Sequence, residues 1–530
     1  MQARTGRSTS LLKSLTITDK THAVWHQRNF NNPSVSMQIH SSGRRDFVVL
    51  EFETSNSRLQ LSEGQQGRGI GEAHFSILIG PNGVGKSRLL AQVVDHLVAL
   101  NDMRSRRPIA DARTFTPWLS ASGQSLIRYR LDGQECTIET AHGQVTCEVN
   151  GNRAHLDEMP FPKKVIAVAH LPVDRFRFGR PDQTEFYAYL GLRQATNLTT
   201  TGALESKVIA ALMRGAGREG YLERVRHWLT LVQLGQELHV TFGGINPELW
   251  NCSTWDSFVD TAREVVLRRI GRGRRFSSQI EKLNNELPSA WYFFETVKSL
   301  SAISSESKSR GHQFTFDASS FAKEGAKLAI GLEVVRRWRF VSEALLGLRK
   351  AQERISFNQL SSGEQQLVGT HFRVQAEMEH GTLVAIDEPE VSLHPSWQTR
   401  YVETFRTTLK DFPATHVILG THSHFMVSDA KPPTSTVVVP KTGEAMAFEA
   451  FRGPVYGRSP ENVLYRVFGT GAVSNFYVER DLAHALKMIS GVIPLDKTEL
   501  MQIEERLRSV VERDNPALDK IFIEIERAMR

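Results

Sequence analysis

An α/β fold is predicted by three observations. Short apolar runs at 75–79, 383–386 and 416–419 each break off into a polar loop, as buried parallel strands do. The first of these loops is glycine-rich and passes directly into Leu89, Leu90, Val93, Val94, Leu97 and Val98, which repeat at helical spacing. At 530 residues and 40% hydrophobic content the chain can also bury a sizeable core.

No stretch approaches the ~20 uncharged apolar residues of a membrane span, and the N-terminus lacks a signal peptide's apolar centre, so a cytoplasmic protein without a membrane partner is expected. Cys136, Cys147 and Cys252 are too few and scattered for a disulfide framework or a zinc cage, which fits a reducing compartment. The net charge of +7 tilts the protein toward polyanionic partners. Arg4, Arg7 and Lys13 stand without an acid in residues 1–18. A frayed basic tail over 1–35 is expected, with an organelle-targeting peptide as the alternative.

The glycine-rich loop reads Gly80-Pro81-Asn82-Gly83-Val84-Gly85-Lys86-Ser87 and satisfies G-x-x-x-x-G-K-[ST] at every fixed position, between a strand and a helix. A bound phosphate needs several backbone N–H groups converging on it. Glycines at 83 and 85 let the main chain wrap close, and the helix N-terminus adds its dipole. Lys86 is placed to reach the β- and γ-phosphates and Ser87 to coordinate Mg²⁺, so all eight residues are assigned to ATP. The loop alone says only "nucleotide", since kinases, GTPases and many ATPases share it.

Three more pieces narrow the choice. The run 383–386 ends at Asp387-Glu388-Pro389-Glu390, so carboxylates emerge at the tip of a buried strand. Asp387 is placed to hold Mg²⁺ through water, beside Ser87, and Glu388 to polarise the attacking water. Upstream, Leu360-Ser361-Ser362-Gly363-Glu364-Gln365-Gln366 reads as a helix start, with Ser361 as N-cap and Glu364 closing a capping box. Downstream, the run 416–419 leads into Gly420-Thr421-His422-Ser423-His424, a strand that ends at a histidine.

These four pieces, in this order, resemble the heads of ABC-type ATPases. The resemblance implies a P-loop NTPase head that hydrolyses ATP with Mg²⁺ and pairs head to tail with a second copy. It implies that Ser361, Gly363 and the helix start behind them contact the γ-phosphate held by the other subunit, although Ser362 and Glu364 depart from the usual L-S-G-G-Q. It also implies that His422, rather than His424, hydrogen-bonds the γ-phosphate and acts with Glu388 in catalysis. The continuation through Leu393-His394-Pro395 resembles the OLD, RecF and AAA-21-like group and replaces the aspartate-bearing loop of transporters. The interval from Ser87 to Leu360 is too short for the long coiled-coil arms of the Rad50 and SMC branch. No aspartates stand two apart after His422, so the Toprim nuclease of OLD proteins is not expected in this chain. The stretches 164–176, 187–193 and 461–468 are similar to the PtuA family, the ATPase subunits of Septu and retron-associated antiphage systems; the AriA family of PARIS shares much of the pattern.

The resulting organisation is an ABC-type head with a helical insertion and a helical C-terminal tail. Lobe I covers 36–199, with strands at 48–52, 75–79, 127–131, 136–139, 145–149 and 165–169. The last strand and its loop stand where the inter-lobe glutamine of the family would be, and no residue is assigned to that role. Residues 200–355 read as a mostly helical insertion, with a polar, serine-rich loop at 299–317. Lobe II covers 356–455 and closes on a hairpin at 437–439 and 445–451. Residues 456–530 read as helical, opened by Ser459-Pro460 and restarted at Asp496 and Glu499, with Leu500, Ile503, Leu507, Val510 and Val511 along one face. That face is expected to pack on its own head, with an effector protein as the alternative.

Arg263, Arg268, Arg269, Arg272, Arg274 and Arg275 crowd one stretch, and Arg336, Arg337, Arg339, Arg349, Lys350 and Arg354 continue the bias. Arg268, Arg269, Arg272, Arg274 and Arg275 are the nucleic-acid candidates, against an equal reading as a solvated face of ion pairs. The function expected is that of an ATPase subunit in antiphage defence, controlling a separate effector such as an HNH nuclease, with a reverse transcriptase and its msDNA, or another nucleic acid, as further partners. The alternatives are a RecF-like DNA-binding ATPase in repair or replication and a scaffold that does not hydrolyse, which fits poorly with Glu388.

Overall fold

The computed structural model describes residues 46–61, 72–105, 123–171, 173–178, 185–191, 201–270, 276–303, 313–441, 443–444, 446–453, 455–458, 476–510 and 516–529. Strands β1 (Phe47–Thr54), β2 (Ser57–Gln60) and β3 (His74–Ile79) precede helix α1 (Lys86–Arg104). Four strands follow, β4 (Gln124–Leu131), β5 (Gln134–Ala141), β6 (Gln144–Val149) and β7 (Asn152–Ala154), then β8 (Lys164–Ala169) and β9 (Tyr187–Tyr189). The middle of the chain contains α2 (Thr201–Ala216), α3 (Tyr221–Leu231), β10 (Gly235–Ile245), α4 (Pro247–Trp250), α5 (Trp255–Ile270), α6 (Phe276–Ile303), β11 (Phe314–Asp317), α7 (Gly325–Arg337), β12 (Val341–Lys350) and β13 (Glu353–Ser356). Next come α8 (Ser362–Glu377), β14 (Thr382–Asp387), α9 (Pro395–Thr407), β15 (Thr415–Thr421), α10 (His424–Ser428), β16 (Ser435–Pro440) and β17 (Ala447–Ala450). Three helices complete the described chain: α11 (Phe476–Ile489), α12 (Lys497–Val510) and α13 (Pro516–Met529).

Among the described residues the large sheet runs β7-β6-β5-β4-β1-β2-β17-β16-β3-β15-β14-β8-β9. Its part from β16 to β9 is parallel. Strands β3, β14 and β15 are buried along their whole length, which is why they read as largely apolar runs, and the polar Ser76 Oγ and His416 Nε2 within them bond each other at 2.9 Å. The β4 to β7 meander is instead antiparallel. It turns at Asp132-Gly133, His142-Gly143 and Asn150-Gly151, each pair with φ positive at both residues, as tight two-residue hairpins need.

Helix α1 is covered on both sides. Leu89, Val93, Val94 and Leu97 join Phe47, Phe52, Tyr129, Val165, Leu383 and Ile418 in one core. On the other face of the parallel sheet, Val208, Leu212, Trp228, Leu367, Phe372 and Phe405 belong to a second core supplied by α2, α3, α8 and α9. Each fully buried side chain of this size contributes about 1.5–3 kcal/mol, and here that burial fixes α1 and α8 against the strands whose ends carry the polar loops.

Three expectations change. The stretch 200–355 is helical at α2, α3, α5, α6 and α7, but it also contributes a second sheet, β11-β10-β12-β13. The strand period is present in β10, where Leu238, Val240 and Phe242 are buried and alternate with partly exposed neighbours, though flanking helical patterns mask it. The polar loop expected at 299–317 is narrower, since α6 continues to Ile303 and Phe314–Asp317 is strand β11; residues 304–312 lie outside the described residues. The apolar face of α12 packs neither on the head nor on open solvent: Leu500, Ile503 and Leu507 share a small core with Ala485 and Met488 of α11 and Phe522 and Ile525 of α13. A three-helix unit covers its own stripe because α11 and α13 are amphipathic too. The start at Ser459-Pro460, the stretch 461–468, Val511 and the basic tail lie outside the described residues, as does the side chain of Val510.

Candidate active site

Strand register brings the sequence-distant pieces together. Strand β15 pairs with β3 so that Thr421 lies beside Ile79, and with β14 so that Gly420 lies beside Asp387. Strand β8 pairs with β14 with Ala169 beside Asp387. Four loops therefore leave the same carboxyl edge of one parallel sheet, where open α/β folds place their ligands.

The loop after β3 is held open by glycine geometry. Gly85, at φ 101°, is the N-cap of α1. A Cβ on Gly85 would stand 2.9 Å from Met446 Cγ, because the turn between β16 and β17 packs against the loop. Pro81, Asn82 and Gly83 are exposed and Val84 is half-buried, while Lys86 and the strand behind it are buried. Lys86 Nζ donates to Gly80 O at 2.9 Å and Pro81 O at 3.3 Å, and it lies 2.7 Å from His422 Nε2. Burial lowers the Lys86 pKa, against the pull of Glu388, Glu390 and Asp387.

Ser87 Oγ donates to Asp387 Oδ1 at 3.0 Å. Burial pushes the Asp387 carboxyl up to about 6, with Ser87 and Lys86 opposing. Glu388 sits in the left-handed region at φ 53°, a strained position for a side chain of its size. Its Oε1 is 3.3 Å from His422 Nε2. Burial, and then the charges of Glu390 and Asp387, raise the Glu388 pKa. The His422 pKa is lowered, first by burial and then by Lys86. His424 instead begins α10, its ring centroid 4.2 Å from that of Phe425.

Ser361 caps α8 as its sequence pattern predicts. Its Oγ accepts from Glu364 N at 3.3 Å, and Glu364 Oε2 accepts from Ser361 N at 2.9 Å. Lys350 Nζ adds an ion pair to Glu364 at 2.8 Å. Ser361 and Ser362 are exposed at this helix start, where the N–H groups of Ser361 and Glu364 are taken by the capping box. Gly363 is required by close approach: a Cβ there would stand 2.6 Å from Ser392 O.

The basic stretch is differently occupied. Arg268 makes paired bonds to Glu248 at 3.0 and 2.8 Å, and Arg269 donates to the carbonyls of Trp338 and Arg339 at 2.9 and 3.0 Å. Arg349 pairs with Glu237 at 2.6 Å, and Arg337 with Glu286. Arg272, Arg274 and Arg275 lie outside the described residues.

Two contacts escape a sequence reading. Glu390 Oε1 accepts from the backbone N of His422 at 2.5 Å, and Gln366 Nε2 donates to Pro389 O at 2.8 Å. Both residues stand inside quoted motifs, but a main-chain partner leaves no trace in spacing. The loop after β8 opens with His170, buried, its Nε2 without a hydrogen-bond partner among the described residues and its pKa pushed down to about 3 by burial and Arg373.

Residues 273–427 match the family model described as AAA ATPase domain. The match spans the Ser361 turn, the carboxylates and His422, and the phosphate loop lies upstream of it. No curated protein matches the chain. Among solved structures, the SMC head domain from Thermotoga maritima is similar at 10% identity, over 77% of this chain and 99% of that one, with a TM-score of 0.34. The Smc head domain with an extended coiled coil, bound to the C-terminal domain of ScpA, from Pyrococcus furiosus, is similar at 12% identity over 76% and 96%, with a TM-score of 0.29. Among the described residues no helix is long and apolar enough to cross a membrane. Residues 273–427 are thus similar to an AAA ATPase domain, whose implied ligand is a nucleotide, within an α/β fold.

Proposed function

We propose that the chain binds ATP with Mg²⁺ between two copies arranged head to tail, hydrolyses its β–γ bond, and uses the ATP-dependent pairing to control a separate effector protein in antiphage defence. The observation that carries the enzymatic part is the meeting of Lys86, Ser87, Asp387, Glu388 and His422 at one sheet edge. The defence assignment rests on the resemblance of the stretches 164–176, 187–193 and 461–468 to the PtuA family, and the effector would be a nuclease of HNH type. Arg268 and Arg269 are already engaged by the protein's own acceptors, which weighs against a RecF-like reading based on that stretch.

The residues divide the work by chemistry. Backbone N–H groups of 82–87 and the Lys86 side chain hold the triphosphate, with Lys86 leaving His422 to do so. Ser87 and Asp387 offer hard oxygen donors 3.0 Å apart, the type Mg²⁺ prefers, and the ion would supply charge neutralisation at the phosphates. Glu388 orients and deprotonates the water, and His422, freed from Lys86, donates to the γ-phosphate oxygen. The exposed start of α8 in the second copy, capped by Ser361, offers N–H donors to the same anion.

Phosphate release by the full-length protein with Mg-ATP tests this directly. Turnover that disappears in Glu388→Gln is expected; undiminished turnover in that variant would reject the assignment.

A further inference from the structure

The loop that follows β14 is held from several sides at once. Glu388 N donates to Gly420 O at 2.9 Å, and Leu393 N closes back on Glu390 O at 2.9 Å. From α8, Gln366 donates to Pro389 O at 2.8 Å, while Gly363 approaches Ser392 O so closely that no Cβ fits. From the β15 side, the His422 N–H is bound by Glu390 Oε1 at 2.5 Å. Glu388 and Ser392 adopt left-handed backbone, at φ 53° and 65°, without being glycine. A conformation of that cost persists only where surrounding bonds over-determine it.

Glu390 contributes to this clasp in an unusual way. Its Oε2 is buried without a donor among the described residues, and its carboxyl lies against that of Glu388, so the side chain is not there to satisfy itself fully. Its other oxygen is spent on one main-chain group, the N–H of the residue whose ring sits between Lys86 at 2.7 Å and Glu388 at 3.3 Å. A backbone anchor at 422 sets where that ring stands relative to both. Downstream, the turn is secured separately, by Ser423 N on Thr421 Oγ1 at 2.9 Å and Ser423 Oγ on Gln398 Oε1 at 2.7 Å. Loss of the Glu390 bond would therefore release His422 without unfolding the turn.

We propose that Glu390 is a positioning residue: by binding the backbone of His422 it fixes the imidazole for hydrolysis, and through Pro389 and Gln366 it ties that placement to the helix start at Ser361. The inference rests on the hydrolysis reading above and adds to it a route of side-chain and loop contacts. A phosphate seated against α8 of one copy is connected by two hydrogen bonds to the histidine at the nucleotide of the same copy. In this arrangement pairing and turnover are linked mechanically as well as by shared ligand.

The test measures kcat, KM and nucleotide affinity of the full chain with Mg-ATP and with a fluorescent ATP analogue, alongside a thermal melt. In Glu390→Ala, kcat falls at least ~10-fold while KM and analogue affinity stay within about 3-fold of wild type. Glu390→Gln keeps an acceptor oxygen for the His422 N–H and recovers most of the lost kcat. Should Glu390→Ala fail to fold, Gln366→Leu cuts the link to α8 on a partly exposed helix turn, and it lowers kcat several-fold at unchanged KM. Unchanged kcat in Glu390→Ala, or in Gln366→Leu where that is the variant measured, overturns the proposal. So does a Gln variant as impaired as Ala, which would put the carboxylate's charge rather than its anchoring at work. A wild-type chain without ATP turnover overturns the hydrolysis reading itself, whereas active wild type with an indifferent Glu390 overturns only the inference.

Discussion

Lys86 Nζ lies 2.7 Å from His422 Nε2, so the two side chains that would flank a γ-phosphate hold one another across the mouth of the loop. The same ammonium is bound by the carbonyls of Gly80 and Pro81. Nucleotide entry on this geometry is an exchange of partners, in which phosphate oxygens replace carbonyls and imidazole. Lys86→Ala removes the cation and leaves three carboxylates facing the site. Titration with a fluorescent ATP analogue is expected to show affinity reduced at least ~100-fold, with the melt little changed.

Glu388 and Asp387 are neighbours in sequence to which the proposed reading gives different duties. Glu388→Gln keeps the size of the side chain and removes its basicity, so ATP still binds while turnover falls at least ~100-fold. Size-exclusion chromatography with Mg-ATP should then show an accumulated dimer that is absent without nucleotide. A variant that hydrolyses as the wild type does would remove Glu388 from the chemistry.

Ser361 caps α8, and on the proposed reading it also serves the partner's nucleotide. As N-cap it supports α8, and Ser361→Ala costs about 1 kcal/mol in a denaturant melt. As the proposed donor site for the partner's nucleotide it would have no part in binding ATP to its own loop. Ser361→Ala should therefore bind the analogue normally and lose turnover beyond what the stability change explains. Mixing it with Lys86→Ala should restore part of the activity, because one mixed interface pairs an intact loop with an intact cap.

Asp95 on α1 gives the fold a pH signature independent of ligand. Burial holds its carboxyl up to about 7, with Arg177 opposing. The folded state thus binds this proton more tightly than the unfolded chain, whose value is 3.8. The contribution is fully present below about 4 and is lost as pH rises through about 7, up to ~4 kcal/mol in total. Asp95→Asn abolishes that titration, so its Tm should rise relative to wild type between pH 5 and pH 8. A difference that stays constant across that range would show Asp95 to be ionised throughout.

Much of the site was legible in the sequence because its parts sit at strand ends. A buried parallel strand is largely apolar, so the point at which its apolar run gives way to a polar loop marks the sheet edge, and the loops bearing Gly80, Asp387 and His422 announce themselves that way. The cap at Ser361 is local chemistry and was equally plain. The sheet of β10 to β13 was not, because β10 pairs with β11 and β12 across long intervals filled with helices, and pairing of that kind has no local signal. Nor was the covering of α12, since a stripe such as Leu500, Ile503 and Leu507 specifies that a partner exists without saying which. The contacts of Glu390 and Gln366 fell in the same class: each reaches a backbone group whose position the tertiary fold decides.

The central claim is that one triphosphate is held jointly by the Lys86 loop of one copy and the Ser361 helix start of another. A structure of the Glu388→Gln protein with Mg-ATP measures it. The account predicts a head-to-tail dimer with Ser361 and the first N–H groups of α8 within hydrogen-bond distance of the γ-phosphate bound to the partner's loop. Nucleotide seated in the loop with Ser361 of every neighbouring copy turned away from it would contradict the account.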